Sequence, residues 1–174
     1  MKKNKLQLLL LALVFVAPVV IAVLMQTRLA HYEPEATKNY GTLFETSPQL
    51  GAWLPPVEAA RLHGSWTMAY VAGADCGQDC LAELDLLSRV WAAQGQERDR
   101  VQLLYVTPTG ITPPALAAPW LSHAREAEPA MPAAARVILI DPEGYGATWY
   151  PAAFDGTELR KDLRHLLKWS KSGR

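Results

Sequence analysis

The sequence lacks any excess of charge of one sign. Its 174 residues contain 17 lysines and arginines and 17 aspartates and glutamates, so the formal net charge is zero. A nucleic-acid partner normally requires a basic face that neutralises phosphates. This composition provides none, and we expect no such partner. The chain also has no internal repeat or long low-complexity tract, which is typical of one ordinary domain with a short additional segment.

The chain also lacks the signatures of several enzyme classes. It contains no glycine-rich phosphate loop and no hydrolase nucleophile elbow. A peroxiredoxin-like site has the pattern Pro-x-x-x-Thr/Ser-x-x-Cys, but Ala69 and Gly73 occupy the proline and hydroxyl positions before Cys76. An ordinary thioredoxin uses Cys-x-x-Cys, which is one residue shorter than the spacing found here. These absences exclude the nearest familiar enzyme sites.

Cysteine is scarce, since Cys76 and Cys80 are the only two. They stand four residues apart where a predicted strand passes into a predicted helix, so both sulfurs can lie on one side of the helix start. That spacing allows a disulfide, and it also allows two thiolates to bind a soft ion such as Cu(I). A helix N-terminus favours thiolates, whereas the neighbouring Asp75 and Asp79 oppose a further negative charge.

The alternative interpretation of the cysteines is an inert structural disulfide in an oxidising compartment. A disulfide between Cys76 and Cys80 closes a very small loop, and such a loop contributes little to stability. The pair also lies on a predicted surface turn at the mouth of a βα unit. These two observations favour redox or metal chemistry over a structural role.

A single long apolar run occurs near the N-terminus. Residues Leu6 to Met25 contain no charge, and as a helix they would span about 30 Å, the thickness of a bilayer core. Lysines precede this run, so the positive-inside rule places the N-terminus in the cytoplasm. We predict an uncleaved single-pass anchor in the bacterial inner membrane, with the rest of the chain in the periplasm. A cleaved signal peptide is the alternative.

The predicted organisation has four parts. Residues 1–5 form a cytoplasmic tail, 6–25 a transmembrane anchor, 26–50 a stalk and lead-in segment, and 51–174 the folded domain. The apolar spacing within the domain predicts strands and helices in an alternating order that ends in a hairpin and a helix. This order indicates an α/β, thioredoxin-like fold with a central mixed sheet flanked by helices. The predicted elements are strands at 65–72, 101–107, 136–140 and 145–150, and helices from 80, over 112–125 and from 155.

Several stretches of the sequence carry a family resemblance. These are GSWTMAYVAGADCGQDCLAELDLL, RVQLLYVTPTGITPPAL and RVILIDPEGYGATWY, together with an Asn39-Tyr40-Gly41 lead-in. They resemble the SCO family of cytochrome c oxidase assembly proteins over roughly residues 39–169. Members of that family are membrane-anchored, thioredoxin-like domains with a Cys-x-x-x-Cys pair and a distal histidine that together bind copper. More narrowly, the chain is similar to SCO-related small membrane proteins of proteobacteria.

The two cysteines of the family have counterparts in this chain, but its histidine does not. Cys76 and Cys80 match the metal-binding or redox cysteines of the family. The family's histidine is expected near Ala133, where this chain has none, and Gly77 replaces the usual proline. This SCO-related chain therefore departs from a three-ligand copper site. His123 and Met131 are the candidate third ligands, the latter through its soft thioether. The remaining histidines, at positions 31, 63 and 165, are not favoured as ligands.

The resemblance implies a role in cytochrome c oxidase assembly. The leading interpretation is a thiol-disulfide oxidoreductase in which Cys76 attacks and Cys80 resolves the mixed disulfide. Its partners would be cysteines in the copper site of an oxidase subunit, or a copper chaperone. Two alternatives remain, namely a Cu(I) carrier that uses the cysteine pair and a non-catalytic assembly scaffold. The missing histidine favours the first and last of these three functions.

Overall fold

The computed structural model contains two compact units, Met1–Lys38 and Asn39–Arg174. The first unit contains helix α1, Lys2–Gln26, with Pro18 inside it. Among the residues that the structure describes, no helix combines the length and the apolar character needed to cross a membrane. The anchor over 6–25 therefore stays a prediction from the sequence. The described residues are 2–26, 39–49, 54–73, 75–108, 114–115, 118–124 and 132–170.

The second unit contains a six-stranded sheet with helices on both sides. The strand order is β1-β6-β5-β2-β3-β4, in which β2, β3 and β4 run parallel and the remaining pairs are antiparallel. This mixed sheet confirms the predicted thioredoxin-like α/β class. The elements are β1 Thr42–Leu43, α2 Pro56–Leu62, β2 Trp66–Val71, α3 Gln78–Ala92, a 3₁₀ helix Gly95–Arg100, β3 Val101–Thr107, β4 Trp120–Ala124, β5 Val137–Ile140, β6 Gly146–Tyr150 and α4 Gly156–Trp169.

The central strands are buried on both faces, which explains their almost continuous apolar sequences. All six residues of β2 and all four of β5 are buried. Alternate residues point to opposite sides of the sheet, so each strand contributes to two clusters. One cluster lies under α3 and α4 and includes Met68, Tyr70 and Tyr105. The other includes Ala69 and lies on the side of Leu62 in α2.

The predicted helix over 112–125 is wrong. Residues 120–124 form strand β4, which pairs in parallel with β3 from Leu103 to Thr107. None of the described residues within 112–125 is helical. The Pro113-Pro114 pair is typical of a helix start, but the hydrogen-bonding edge of β3 was available to this segment. Pairing with that edge outweighed the local signal, as tertiary context often does.

A buried carboxylate fixes the lead-in segment to the last helix. Asp162 of α4 accepts hydrogen bonds at one oxygen, Oδ2, from the backbone amides of Tyr40 and Gly41, each at 2.9 Å. The same oxygen accepts the hydroxyl of Tyr150 at 2.6 Å. A Cβ at Gly41 would lie 2.5 Å from Cζ of Tyr150, so the close approach requires glycine. The Asn39-Tyr40-Gly41 motif thus has a structural role.

Candidate functional site

The two cysteines form a disulfide at the start of α3. Their Cα atoms are 5.2 Å apart, within the usual range for this bond. Cys76 lies in the loop that follows β2, whereas Cys80 lies in the first turn of the helix. Gly77 is the N-cap in an extended conformation, and its carbonyl accepts the amide of Leu81 at 3.1 Å. The disulfide therefore bridges the helix N-terminus, as the sequence allowed.

The disulfide packs against the protein core and is partly exposed to solvent. Both cysteines are partly buried and pack against the cluster under α3 and α4. Asp75, Asp79 and Leu81 around them are exposed. A thiol can attack a disulfide sulfur only where it has access to it, and this placement provides access. The positive end of the helix dipole would favour thiolates once the bond is reduced.

A tyrosine and a glutamate connect the strand and the helix on either side of the cysteines. Tyr70 is 2% exposed at the end of β2, and its hydroxyl donates to Oε2 of Glu83 at 2.7 Å. Burial, followed by this hydrogen bond, raises the pKa of Tyr70 well above its usual value. The other carboxylate oxygen, Oε1, accepts the amide of Ala153 at 2.7 Å. Glu83 thus ties α3 to β2 and to the turn before α4.

Arg136, the residue that precedes β5, contacts the same region. Its Nη1 donates to the carbonyl of Val71 at 3.3 Å, and its own carbonyl accepts the amide of Val71 at 2.9 Å. The guanidinium is close enough to lower the pKa of Tyr70, opposite to the effect of Glu83. Arg136 follows Ala133, near which the family histidine was expected, by three residues. A fixed cation therefore lies near the cysteine loop.

Glu83 and Arg136 were missed by the sequence analysis. Glu83 stands three residues after Cys80, on the helix face that also carries the buried Leu84 and Leu87. A carboxylate on an otherwise apolar face was a signal that could have identified it. Arg136 gave no comparable signal, because its contact with β2 depends on the antiparallel pairing of β5 with that strand.

The side chains of the two predicted third ligands lie outside the part of the chain that the structure describes. His123 lies in β4 opposite Val106, and its side chain is outside the described part of the chain. Its strand is separated from β2 by β3, which corresponds to about 10 Å for two strand spacings. Met131 lies outside the described residues. Both assignments stay predictions. His165 is exposed on α4.

The donor set at this site does not fit a copper centre in the form observed. Sulfurs joined in a disulfide have no thiolate to offer a metal, since the thiolate is the metal ligand. Among the side chains that the structure describes, no three from His, Cys, Asp and Glu are grouped to hold a metal ion. Reduction would be needed to generate even two soft ligands.

Comparison with solved structures supports the fold. The solution structure of apo Sco1 from Thermus thermophilus aligns with a TM-score of 0.54 at 15% identity, covering 74% of this chain and 96% of that one. The crystal structure of yeast Sco1 aligns with a TM-score of 0.50 at 16% identity, covering 74% of this chain and 96% of that one. The crystal structure of yeast Sco1 with copper bound aligns with a TM-score of 0.48 at 17% identity, covering 64% of this chain and 83% of that one. At these identities the likeness shows the fold alone, and the first two structures confirm the thioredoxin-like fold.

No curated protein matches the sequence significantly. A family model does match, over residues 66–170, which is more than half of the chain. The matched range begins at β2 and ends just after α4, so it includes both cysteines, Glu83 and Arg136. The chain therefore belongs to the family described as the transmembrane-like, thioredoxin-like, C-terminal domain.

Proposed function

We propose that this protein assists cytochrome c oxidase assembly by thiol-disulfide exchange on copper-site cysteines. One observation carries the proposal: Cys76 and Cys80 are joined at the N-terminus of α3, partly exposed, on a thioredoxin-like sheet. A disulfide between residues only four apart restrains little of the unfolded chain, so its placement is better explained by chemistry than by stability. The oxidase as the destination rests on the resemblance to the SCO family.

The exchange would proceed from the reduced form of the protein. The Cys76 thiolate attacks one sulfur of a client disulfide, which forms a mixed disulfide and releases one client thiolate. Cys80, as its thiolate, then attacks the Cys76 sulfur, releasing the second client thiolate and closing the Cys76–Cys80 bond. The client gains two electrons and the pair loses two. A thiol reductant restores the dithiol.

The location belongs to the same proposal. We place the domain in the bacterial periplasm, tethered to the inner membrane by the apolar run at 6–25 with its N-terminus in the cytoplasm. The support is the uncharged sequence within α1 and the lysines that precede it. The proposed partners are cytochrome c oxidase subunits or a copper chaperone in that compartment.

The alternative functions use the same residues differently. A Cu(I) carrier would need the reduced pair, with His123, Met131 or the partner completing the coordination. A non-catalytic scaffold would need neither thiol chemistry nor copper. We rank exchange first because the disulfide is formed in the structure and the sequence has no histidine near Ala133, where the family's ligand is expected.

Trapping the mixed disulfide tests the exchange function. The full-length protein in detergent micelles is reduced, freed of reductant and mixed with a synthetic peptide that carries an oxidised pair of oxidase copper-site cysteines. We expect wild type to reduce the peptide, and Cys80→Ser to accumulate a covalent peptide adduct, read by intact mass. Cys76→Ser is the matched control and should form far less adduct. Absence of peptide reduction by wild type and of any adduct would contradict the proposal.

An anaerobic Cu(I) titration against a competing chelator separates the alternatives. Reduced wild type is compared with a Cys76→Ser, Cys80→Ser double variant. Tight one-to-one binding that disappears in the double variant would establish the carrier function, and replacement of His123 and Met131 would then identify a third ligand. Binding that does not depend on the cysteines would remove the carrier, leaving exchange and scaffold to be separated by the peptide assay.

A further inference from the structure

We propose that Glu83 is a positioning residue for the cysteine pair. Its carboxylate holds the first turns of α3 against β2 and keeps a fixed negative charge beside the disulfide, which shifts the redox equilibrium towards the oxidised form. This inference deepens the proposed function and rests on it, because a redox equilibrium matters only if the disulfide is reversible.

The carboxylate of Glu83 is fixed at both oxygens. Oε2 accepts the hydroxyl of the buried Tyr70, and Oε1 accepts the amide of Ala153, both at 2.7 Å. Ala153 has a φ of 57°, the left-handed region that costs energy for a residue other than glycine. The hydrogen bond from its amide helps to maintain that conformation. The charge consequently cannot swing out to solvent without breaking two hydrogen bonds.

Its position along the helix puts this charge next to the cysteines. Residues three apart on a helix are surface neighbours, with Cβ atoms about 5–6 Å apart. Cys80 and Glu83 have this spacing, and both are partly buried on the inward side of α3. Asp85, only two residues further, is exposed and forms an ion pair with Arg89 at 3.1 Å. Glu83 and Asp85 of the same helix therefore differ in burial and in their partners.

The direction of the effect follows from charge. Reduction produces thiols whose thiolate forms are disfavoured by a neighbouring carboxylate, so Glu83 should favour the disulfide. Arg136, just before β5, lies near Tyr70 and carries a positive charge, so it should favour the reduced form. The other charged or titratable groups flanking this region are Asp75 and Asp79 in the loop and first turn, and Tyr105 of β3, whose ring stacks on Tyr70 with 6.1 Å between centroids.

A glutathione redox titration of the full-length protein in detergent tests this inference. Oxidised and reduced fractions are read at pH 7 by alkylation and intact mass. We expect Glu83→Gln to raise the equilibrium constant for reduction about threefold, which is about 15 mV for a two-electron couple. Asp85→Asn removes the same charge from the same helix and should leave the constant unchanged. Arg136→Gln should lower the constant by a similar factor.

Two results would overturn the inference. One is a constant for Glu83→Gln that matches wild type and Asp85→Asn. The other is a shift in the same direction for Glu83→Gln and Arg136→Gln, because loosened packing would then explain both. Circular dichroism confirms folding of each variant. If Glu83→Gln does not fold, Glu83→Asp, which keeps the charge, should stay close to wild type while Arg136→Gln still lowers the constant; an unchanged or raised constant for the latter would refute the charge effect.

The glutathione titration needs no client protein. A wild-type protein that equilibrates with glutathione but does not reduce the oxidase peptide would contradict the proposed function. The Glu83 comparison would still be decided by the same titration. The two proposals therefore fail in distinguishable ways.

Discussion

Two tyrosine–carboxylate pairs connect elements of this domain, and they differ in what surrounds them. Asp162 is buried in α4 and takes three donors at one oxygen, from Tyr150 and from the backbone of Tyr40 and Gly41. Glu83 is only partly buried and divides its two oxygens between Tyr70 and Ala153. The same chemical pairing thus occurs once in the interior and once beside the disulfide.

The difference separates a structural role from a functional one. None of the partners that the structure describes for Asp162 belongs to the loop that carries Cys76, so its loss should affect folding and leave the redox equilibrium unchanged. Glu83 lies one turn after Cys80 and retains access to solvent, so its loss should affect folding little and the equilibrium measurably. A stability series and a redox series on the same variants should therefore rank them in opposite orders.

The largest expected effect on stability is that of Asp162→Ala. It leaves the Tyr150 hydroxyl and two backbone amides without their acceptor in a buried place, and each unsatisfied donor costs about 1–3 kcal/mol. We expect a loss of about 4 kcal/mol in the free energy of unfolding, measured by urea unfolding of the full-length protein in detergent. The glutathione equilibrium constant should not change. A variant as stable as wild type would refute the structural role.

Reduction of the disulfide should lower the free energy of unfolding less than Asp162→Ala does. A chain-entropy treatment of the five-residue loop between Cys76 and Cys80 gives about 2 kcal/mol at 25 °C. The free energy of unfolding should therefore fall by about 2 kcal/mol or less when urea unfolding is repeated with reductant. The double serine variant, insensitive to reductant, is the control. A loss well beyond this value would indicate a structural disulfide and weaken the redox proposal.

The Tyr150→Phe change should lower the free energy of unfolding by about 1.5 kcal/mol. It removes one hydrogen bond to a charged group and leaves the two amide donors in place. Burial, and then Asp162, raises the pKa of Tyr150 above its usual 10.0. The folded protein then keeps a proton that the unfolded chain releases, so stability is complete below pH 10 and declines as the pH rises above it. Unfolding measured from pH 8 to 11 should show a shallower decline for Tyr150→Phe. An identical slope would contradict this assignment.

Glu83→Gln should lower the free energy of unfolding less than the preceding changes do. The amide can still accept one of the two hydrogen bonds, and the site is partly open to water, so we expect a loss below about 1 kcal/mol. Urea unfolding measures this loss beside Asp85→Asn, for which about 0.5 kcal/mol or less is expected because its ion pair is exposed. A loss for Glu83→Gln as large as that for Asp162→Ala would remove the distinction between the two pairs.

Much of the fold could be predicted from the sequence, because its central strands carry strong local signals. The apolar runs at 66–71, 101–107 and 137–140 form buried strands, and the spacing of Leu159, Leu163 and Leu167 marks the inward face of α4. The strand at 120–124 was mistaken for a helix, because its pairing with β3 is a long-range event that leaves little trace in local sequence. Helix α2 was also not predicted, because it is defined by its packing against the sheet and not by a strong local pattern.

The candidate site was predictable in its cysteines and not in their surroundings. A pair spaced four residues apart between a strand and a helix identified Cys76 and Cys80 directly. The neighbours Tyr70, Glu83 and Arg136 come from a strand, a helix and a more distant strand, and only the sheet order brings them together. Contacts across 65 residues, such as that between Arg136 and Val71, cannot be read from spacing.

The central claim is that the Cys76–Cys80 disulfide is a reversible redox pair. Its reduction potential in the full-length protein tests this claim most directly, determined from the alkylated fraction at equilibrium with thiol–disulfide buffers of known potential. The account predicts a two-electron transition at a potential above about −300 mV, where labile and catalytic disulfides lie. A potential well below that value would show a structural disulfide and contradict the account.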